Sequence, residues 1–326
     1  MTHESILKSL GVHQEVLEAQ ERLRTSIRET PLEFSLVLSQ LSRGDVFLKC
    51  ENLQITGSFK LRGAANKLLS LSDEERGRGI LTASSGNHGA AVAYLLQKLN
   101  MSGTIFLPEN ASSVKIEMLN LYGADIQLVG SDCIQAEMDA KHRAERNGHV
   151  YISPYNDVKV IGGQGTVAVE IVRQSKRIDA VLVPVGAGGL ISGIGGYLKT
   201  MRPEIKIIGC QPENSAVMAE SIKAGRILDI PSQPTLSDGT AGGVEQGALT
   251  FGICKEVVDD FILVSEEEIG EALRLVIQNH HMLIEGAAAL SVAGFIKEIE
   301  RFKGQTVVLV LSGAKLSLSQ LKTILK

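Results

Sequence analysis

Lys60 stands between two apolar side chains in Glu51-Asn-Leu-Gln-Ile-Thr-Gly-Ser-Phe-Lys60-Leu-Arg-Gly63. Residues 46–50 before it read as a strand, Thr56-Gly57-Ser58 supplies turn and N-cap chemistry, and 61–71 carries helical periodicity. A cation at a helix N-terminus opposes the macrodipole, and Phe59 and Leu61 on either side would withdraw it from water. Both effects lower a lysine pKa, which suits Schiff-base chemistry. A solvated surface lysine is the competing account, and Lys60 alone does not exclude it.

Three other segments carry polar or glycine chemistry at the end of an apolar run. Thr82-Ala-Ser84-Ser85-Gly86-Asn87-His88-Gly89 follows a short strand and opens a helix, so its N–H groups and hydroxyls suit a carboxylate. A plain capping loop is the alternative, and His88 reads more readily as a structural histidine than as a base. Val183-Pro-Val-Gly186-Ala187-Gly188-Gly189-Leu190 places consecutive glycines between a buried strand and a helix, where backbone amides can close on a phosphate. Packing alone would also explain those glycines. A nucleoside-triphosphate loop is excluded, because no Lys-Ser/Thr follows the glycines. The dinucleotide spacing also fails, with Ile191 at the third glycine position and Gln211 where an acid should meet the ribose. In Val307-Val-Leu-Val-Leu-Ser312-Gly313, a polar residue ends a fully apolar strand, where parallel sheets bind ligands.

The elements that must position these groups alternate along the chain. Strand-like runs fall at 46–50, 79–82, 103–107, 125–128, 150–152, 180–185, 206–210, 260–264 and 306–311; helical stretches fall at 90–99, 113–122, 133–146, 165–174, 266–279 and 286–300. Uninterrupted Val/Ile/Leu runs indicate parallel strands covered on both faces. The pattern predicts an α/β fold. The longest irregular stretch, 225–247, holds Pro231 and Pro234 and is long enough to be functional.

Length and composition narrow the function. A chain of 326 residues suffices for two domains, and its hydrophobic share of 44% is that of a globular protein. Net charge is −4 and aromatics are 4%, so neither a basic patch nor a base-stacking platform points to nucleic acid. Cys50, Cys133, Cys210 and Cys254 are scattered, without the spacing of a zinc site or a disulfide framework. His280 and His281 are adjacent and no HExxH occurs, so no metal site is expected. No G-x-S-x-G elbow is present either. The amino terminus lacks a signal-peptide pattern, and the uncharged run 180–198 is interrupted by glycines and Pro184, so it reads as buried structure and not as a membrane span. A cytoplasmic protein without a membrane partner is expected.

Taken in order, these segments resemble the fold-type II pyridoxal-phosphate enzymes, and specifically the serine/threonine dehydratase and serine racemase family. The resemblance runs from Thr30-Pro31-Leu32 through the Lys60, Ser84 and Gly186 segments. It continues through Pro154-Tyr-Asn-Asp and Ile161-Gly-Gly-Gln-Gly-Thr166-Val-Ala-Val-Glu170 to Glu285-Gly-Ala-Ala and Ser312-Gly-Ala. It implies two domains with parallel-rich, open twisted sheets flanked by helices, as in the tryptophan synthase β type. A large domain of 1–45 and 149–326 would bind the cofactor, with a small domain, 46–148, inserted. Pyridoxal 5'-phosphate would be held covalently by Lys60, packed by Phe59 and hydrogen-bonded by Asn87 at its 3'-oxygen. Backbone amides of Gly186, Ala187, Gly188, Gly189 and Leu190 would take its phosphate, and Ser312 would face its ring nitrogen. Ser84, Ser85, Gly86, Asn87 and His88 would bind the substrate carboxylate, with Asp238 and Gly239 bordering the substrate.

The implied activity is dehydration and deamination of a serine-, threonine- or 3-hydroxyaspartate-type substrate to a 2-oxo acid and ammonia, with Lys60 removing the α-proton. Ser312 cannot protonate the ring nitrogen as an aspartic acid would, which favours loss of the β-hydroxyl over transamination. Ser85, a serine shared with racemase-like members, could return a proton from the opposite face, so amino-acid racemisation stands as the alternative. A silent ligand-binding homologue is a third reading. The resemblance also implies a homodimer. Gln211 and Val217 replace the acidic residues of the racemase cation site, and Lys315 stands where the family has asparagine. The chain ends soon after Ser312, so no carboxy-terminal regulatory domain is expected. The segments 212–221 and 235–244 resemble dehydratases of the hydroxyectoine-utilisation type.

Overall fold

The computed structural model describes residues 5–131 and 133–325. The first residues of the stretch read for a targeting signal therefore lie outside the described residues. Among the described residues ten strands form two sheets. They are β1 (Leu32–Phe34), β2 (Asp45–Lys49), β3 (Ile80–Ala83), β4 (Gly103–Leu107), β5 (Asp125–Leu128), β6 (Val150–Tyr151), β7 (Ala180–Pro184), β8 (Lys206–Pro212), β9 (Asp260–Val264) and β10 (Thr306–Val310). The larger sheet runs β1-β2-β10-β7-β8-β9 and the smaller β5-β4-β3-β6. Every pairing is parallel except β1 with β2.

The apolar runs explain the layering. Strand side chains alternate between faces, so Val181, Val183, Val308 and Val310 join one core, while Leu182, Val307, Leu309 and Leu48 join the other. Helices Val158–Gln174 and Gly189–Met201 cover the first face, and Glu266–His280 and Gly286–Lys297 the second. Each of these side chains is fully buried, contributing roughly 1.5–3 kcal/mol. A continuous hydrophobic run, and not an alternating one, is what such two-sided burial requires.

The helix Lys60–Leu69 joins the two sheets. Leu61, Ala64, Ala65 and Leu68 pack with Ile80 of β3 and with Ala91, Val92 and Leu95 of helix Asn87–Leu99. Its opposite side lies against Val158–Gln174, where glycines permit backbone contact. A Cβ at Gly163 would stand 2.5 Å from the Arg62 carbonyl, and one at Gly193 would stand 2.3 Å from the Ile161 carbonyl. The three helices therefore lie side by side with almost no side chain between them.

Several boundaries differ from expectation. β2, at the start of the expected insertion, pairs with β10 in the larger sheet, because its Val46 and Leu48 belong to that core. β6, expected beyond the insertion, pairs with β3 in the smaller one. Val158–Gln174 starts seven residues before the expected 165 (165 − 158), because Asp157 Oδ1 accepts the Lys159 and Val160 N–H groups and close packing uses Gly162 and Gly163. Helix Asn87–Leu99 begins three residues before the expected 90 (90 − 87). β1, three residues at an edge, has too short an apolar run to mark it in the sequence. The run 180–198 does divide into strand, glycine turn and helix, and no described helix is long and apolar enough to cross a membrane.

Candidate active site

Three adjacent strands of the larger sheet end side by side. After β2 the chain leads to Lys60, after β10 to Ser312, and after β7 to Gly186. The carboxyl ends of neighbouring parallel strands are where this architecture gathers ligands. Backbone bonds join the first two: Phe59 N–H donates to the Ser312 carbonyl (3.1 Å) and Ala314 N–H to the Gly57 carbonyl (2.8 Å). Ser58 and Gly313 form an isolated bridge.

Lys60 is the first residue of its helix, as expected, but the cap differs. Phe59 is the N-cap, without a side-chain cap bond, and the buried Ser58 hydroxyl has no partner among the described residues. Half-buried Lys60 donates from Nζ to the Pro154 carbonyl at 2.9 Å and lies 5.2 Å from the Phe59 ring centre. Burial pushes the amine down to about 8, outweighing the Glu285 and Glu137 charges that favour its protonated form. An amine poised there can both condense with a carbonyl and exchange protons near neutrality.

The glycine turn reaches the same place from the other side. A Cβ on Gly189 would stand 3.0 Å from that of Tyr155, the residue after Pro154, so 154–155 links Lys60 to this turn. Gly188 has φ +87 and caps helix Gly189–Met201. The backbone N–H groups of Gly186, Ala187, Gly188, Gly189 and Leu190 have no hydrogen-bond partner among the described residues. Such consecutive free donors at a helix N-terminus suit a phosphate.

The third wall comes from the smaller sheet. Ser84, Ser85 and Gly86 follow β3, and Asn87 begins the helix. The Ser84 hydroxyl accepts Gly86 N–H (3.2 Å), while the Ser85 hydroxyl has no partner among the described residues. A Cβ on Gly89 would stand 1.9 Å from the Ser84 carbonyl, so this tight turn requires glycine there. Asn87 Nδ2 donates to both oxygens of Glu285 (3.0 and 2.9 Å), leaving Oδ1 buried without a partner. Burial raises the Glu285 carboxyl to about 7, with the Asp238 charge adding to the effect and bonds from Asn87 and Lys315 opposing it. The exposed Gly239 lies against Glu285 and Ala287. The His88 side chain points elsewhere: it is buried, donates from Nε2 to the Ile152 carbonyl (3.1 Å), and is pushed down to about 3 by burial and the Lys60 charge. Its ring Nδ1 is buried without a partner among the described residues, and its backbone N–H is unpaired as well. Ser312 is buried, with its hydroxyl free of any partner among the described residues.

Pyridoxal phosphate fits this donor set. Lys60 would hold its aldehyde carbon, the 186–190 amides its phosphate, and Asn87 and Ser312 its ring, where it would supply an electron sink for the substrate α-carbon.

Comparison with known proteins agrees. The profile of the family described as pyridoxal-phosphate dependent enzyme matches residues 23–313. The chain belongs to the pyridoxal-phosphate-dependent enzyme family. Among members of this family, it is 40% identical to an L-threonine ammonia-lyase of Thermotoga maritima over 96% of this chain and 77% of that one. Threonine deaminase isoform 2 from Solanum lycopersicum superposes with a TM-score of 0.91 at 35% identity, over 96% of this chain and 92% of that one. Serine racemase from Dictyostelium discoideum gives 0.87 at 35%, over 94% and 98%. The paired parallel-rich sheets are those of this pyridoxal-phosphate family.

Sequence reading missed the groups that hold the site in place. Arg62 bonds both oxygens of Glu51 (2.8 and 2.7 Å) and both of Glu170 (2.6 and 2.8 Å). Lys49 donates to Glu170 (2.5 Å) and the Thr30 carbonyl (2.7 Å). All four ionic side chains are buried. Burial would raise the Glu170 carboxyl, yet Arg62 and Lys49 hold it below its ordinary range. Burial also pushes the Lys49 ammonium down in spite of Glu170, so Arg62 is the firmer partner. Thr30 and Glu170 lay within the resembling segments, and two cations balancing two acids was the available signal. Gln211 spends its amide oxygen on the Ala219 N–H (2.8 Å). A cavity of about 360 Å³ adjoins the 154–155 segment, lined by Ser153, Asn156, Lys141 and Glu245 but not by Lys60.

Proposed function

We propose that this protein is a lyase that converts a small β-hydroxy amino acid of the serine, threonine or 3-hydroxyaspartate type to a 2-oxo acid and ammonia. The observation that carries the reading is Lys60: an amine held near 8, in a half-buried position, with free donors for a phosphate on one side. The N-terminal turn of helix Asn87–Leu99, tied by Asn87 to the Glu285 carboxyl whose charge acts on Lys60, binds the substrate carboxylate through its unpaired N–H groups. The bound cofactor supplies the electron sink that acidifies the α-hydrogen. Lys60, its amine freed when the substrate amine takes its place, takes that proton and delivers it to the departing β-hydroxyl, which leaves as water. The enamine so formed tautomerises and takes up water, releasing ammonia and the 2-oxo acid.

A second reading rests on Ser85. Its free, half-buried hydroxyl on the turn suits proton return to the opposite face, which makes amino-acid racemisation a side activity. We further read the two sheets as two domains of a cytoplasmic homodimer, on family resemblance. Light scattering coupled to gel filtration tests the dimer.

The deciding experiment supplies the holoenzyme with L- and D-serine, threonine and 3-hydroxyaspartate while following keto-acid release and chiral composition together. Keto acid is the expected product. Chiral inversion without keto acid would favour the racemase, and inertness toward the whole panel with cofactor bound would favour a silent homologue.

A further inference from the structure

Lys315 stands where the family pattern has asparagine, and the structure gives it contacts that family resemblance does not supply. Its Nζ donates to the Gly86 carbonyl (3.1 Å), and its backbone N–H donates to Glu285 Oε2 (3.3 Å). Glu285 in turn holds Asn87, the residue after Gly86, and its N–H donates to the Gly313 carbonyl (3.0 Å). One residue thus ties the turn of the smaller sheet to the loop after β10, and that loop is already bonded to the Lys60 segment. The Lys315 side chain is half-buried, and burial pushes its ammonium down to about 8.

We propose that Lys315 is a positioning residue: by holding the Gly86 carbonyl it fixes the Asn87 N–H toward the substrate carboxylate and keeps the 84–88 turn in register with Lys60. The physical link is the peptide plane. The Gly86 C=O and the Asn87 N–H belong to one rigid trans unit and point in opposite directions, and the carbonyl, which also accepts the Ala90 N–H (3.1 Å), gains from Lys315 a second, charged anchor that holds the N–H in its aim. The Asn87, His88 and Gly89 N–H groups have no partner among the described residues, and their common direction is that of the helix whose first peptide Lys315 grips. A charged donor on that carbonyl also draws electron density from the amide and strengthens its N–H as a donor. The inference rests on the turn being the carboxylate site.

The test compares Lys315→Met and Lys315→Arg in the holoenzyme. For Lys315→Met, KM for the β-hydroxy amino acid rises about ten-fold, the equivalent of one charge-assisted hydrogen bond, while cofactor affinity stays within about two-fold. Arginine restores most of the loss. In the cofactor-free protein, hydrogen exchange of the 84–90 amides speeds up in Lys315→Met and not in Lys315→Arg. An unchanged KM, or an equal loss of cofactor affinity, overturns the proposal. If the methionine variant does not fold, Lys315→Gln replaces it under the same criteria. Should the wild type fail on every amino acid, the lyase reading fails, and the exchange experiment still decides whether Lys315 clamps the turn.

Discussion

Arg62 sets its two terminal nitrogens on the two oxygens of Glu170, at 2.6 and 2.8 Å, two residues beyond Lys60 and wholly away from water. The side of helix Lys60–Leu69 that carries Arg62 is thereby pinned to helix Val158–Gln174, which fixes the rotation that brings Lys60 to the Pro154 carbonyl. Glu170→Ala would leave Arg62 and Lys49 buried opposite Glu51 alone. We expect a loss of about 3–5 kcal/mol, read from the urea midpoint of the cofactor-free protein. Because the folded state holds the Glu170 carboxyl low, its contribution is present above the ordinary carboxylate pKa and is lost as pH falls through the folded value. The gap between wild type and variant therefore narrows in acid; a gap that widens there would contradict the assignment.

On the proposed chemistry, Lys60→Ala removes both the cofactor's covalent anchor and the base. Turnover should fall by at least ~10³-fold, and the visible absorbance of the lysine-bound cofactor should vanish with it. An active, coloured variant would place the chemistry elsewhere.

Ser85→Ala separates the two activities. Racemisation should fall by about 10²-fold while elimination stays within about three-fold, since only the former needs a proton donor on the second face. Chiral chromatography of recovered substrate, run beside a keto-acid assay, measures both at once. Parallel losses would mean that Ser85 serves the carboxylate instead.

Gly188 has φ +87, and an added Cβ would stand 2.8 Å from Cys254 Sγ and 3.0 Å from Met218 Cε. Gly188→Ala meets both the left-handed backbone penalty and the clash, so the amides on either side must turn. Cofactor affinity, by absorbance titration, should drop about ten-fold or more. Unaltered affinity would leave the glycines with packing as their sole purpose.

Glu285 gives a pH-dependent stability signature. Its carboxyl is near 7 in the folded protein, well above its unfolded value, chiefly through burial. The folded state thus holds more protons than the unfolded one between these values, and stability is lost as pH rises through that window. Glu285→Gln escapes this effect. The Tm of the variant relative to wild type should climb from pH 5 to pH 8 in the cofactor-free protein, whatever the offset at pH 5. A flat difference would show that Glu285 is ionised throughout.

The sheets were legible in the sequence because two-sided burial demands unbroken runs such as those of β7 and β10, and the polar residues that end such runs stand out. Lys60, Asn87, the glycine turn and Ser312 could be picked out for that reason, and the structure links them through the 154–155 segment, Glu285 and the 312–314 loop. Helix starts were harder. Gly162 and Gly163 look like breakers along the chain, whereas their small size serves contact with another helix distant in sequence. Arg62 and Glu285 read as ordinary charges, since burial is a property of the assembled layers and leaves no local mark. His88 sits within the turn, yet its ring faces inward, a matter of side-chain direction that the neighbouring residue types do not specify.

The contact among the three glycine-lined helices has a metric consequence. Helix Lys60–Leu69 touches Val158–Gln174 backbone to backbone, and Val158–Gln174 touches Gly189–Met201 in the same way. The interval between the Lys60 amine at one end of this stack and the unpaired 186–190 amides at the other is thus gauged by peptide planes, which neither swell nor change rotamer. Such a stack acts as a caliper of fixed opening. It would admit a phosphorylated aldehyde of one span and reject a longer or shorter analogue even if the chemistry at both ends were right. The turn we propose for the substrate carboxylate is carried on the other sheet, so in that reading one half of the molecule would measure the cofactor and the other the amino acid.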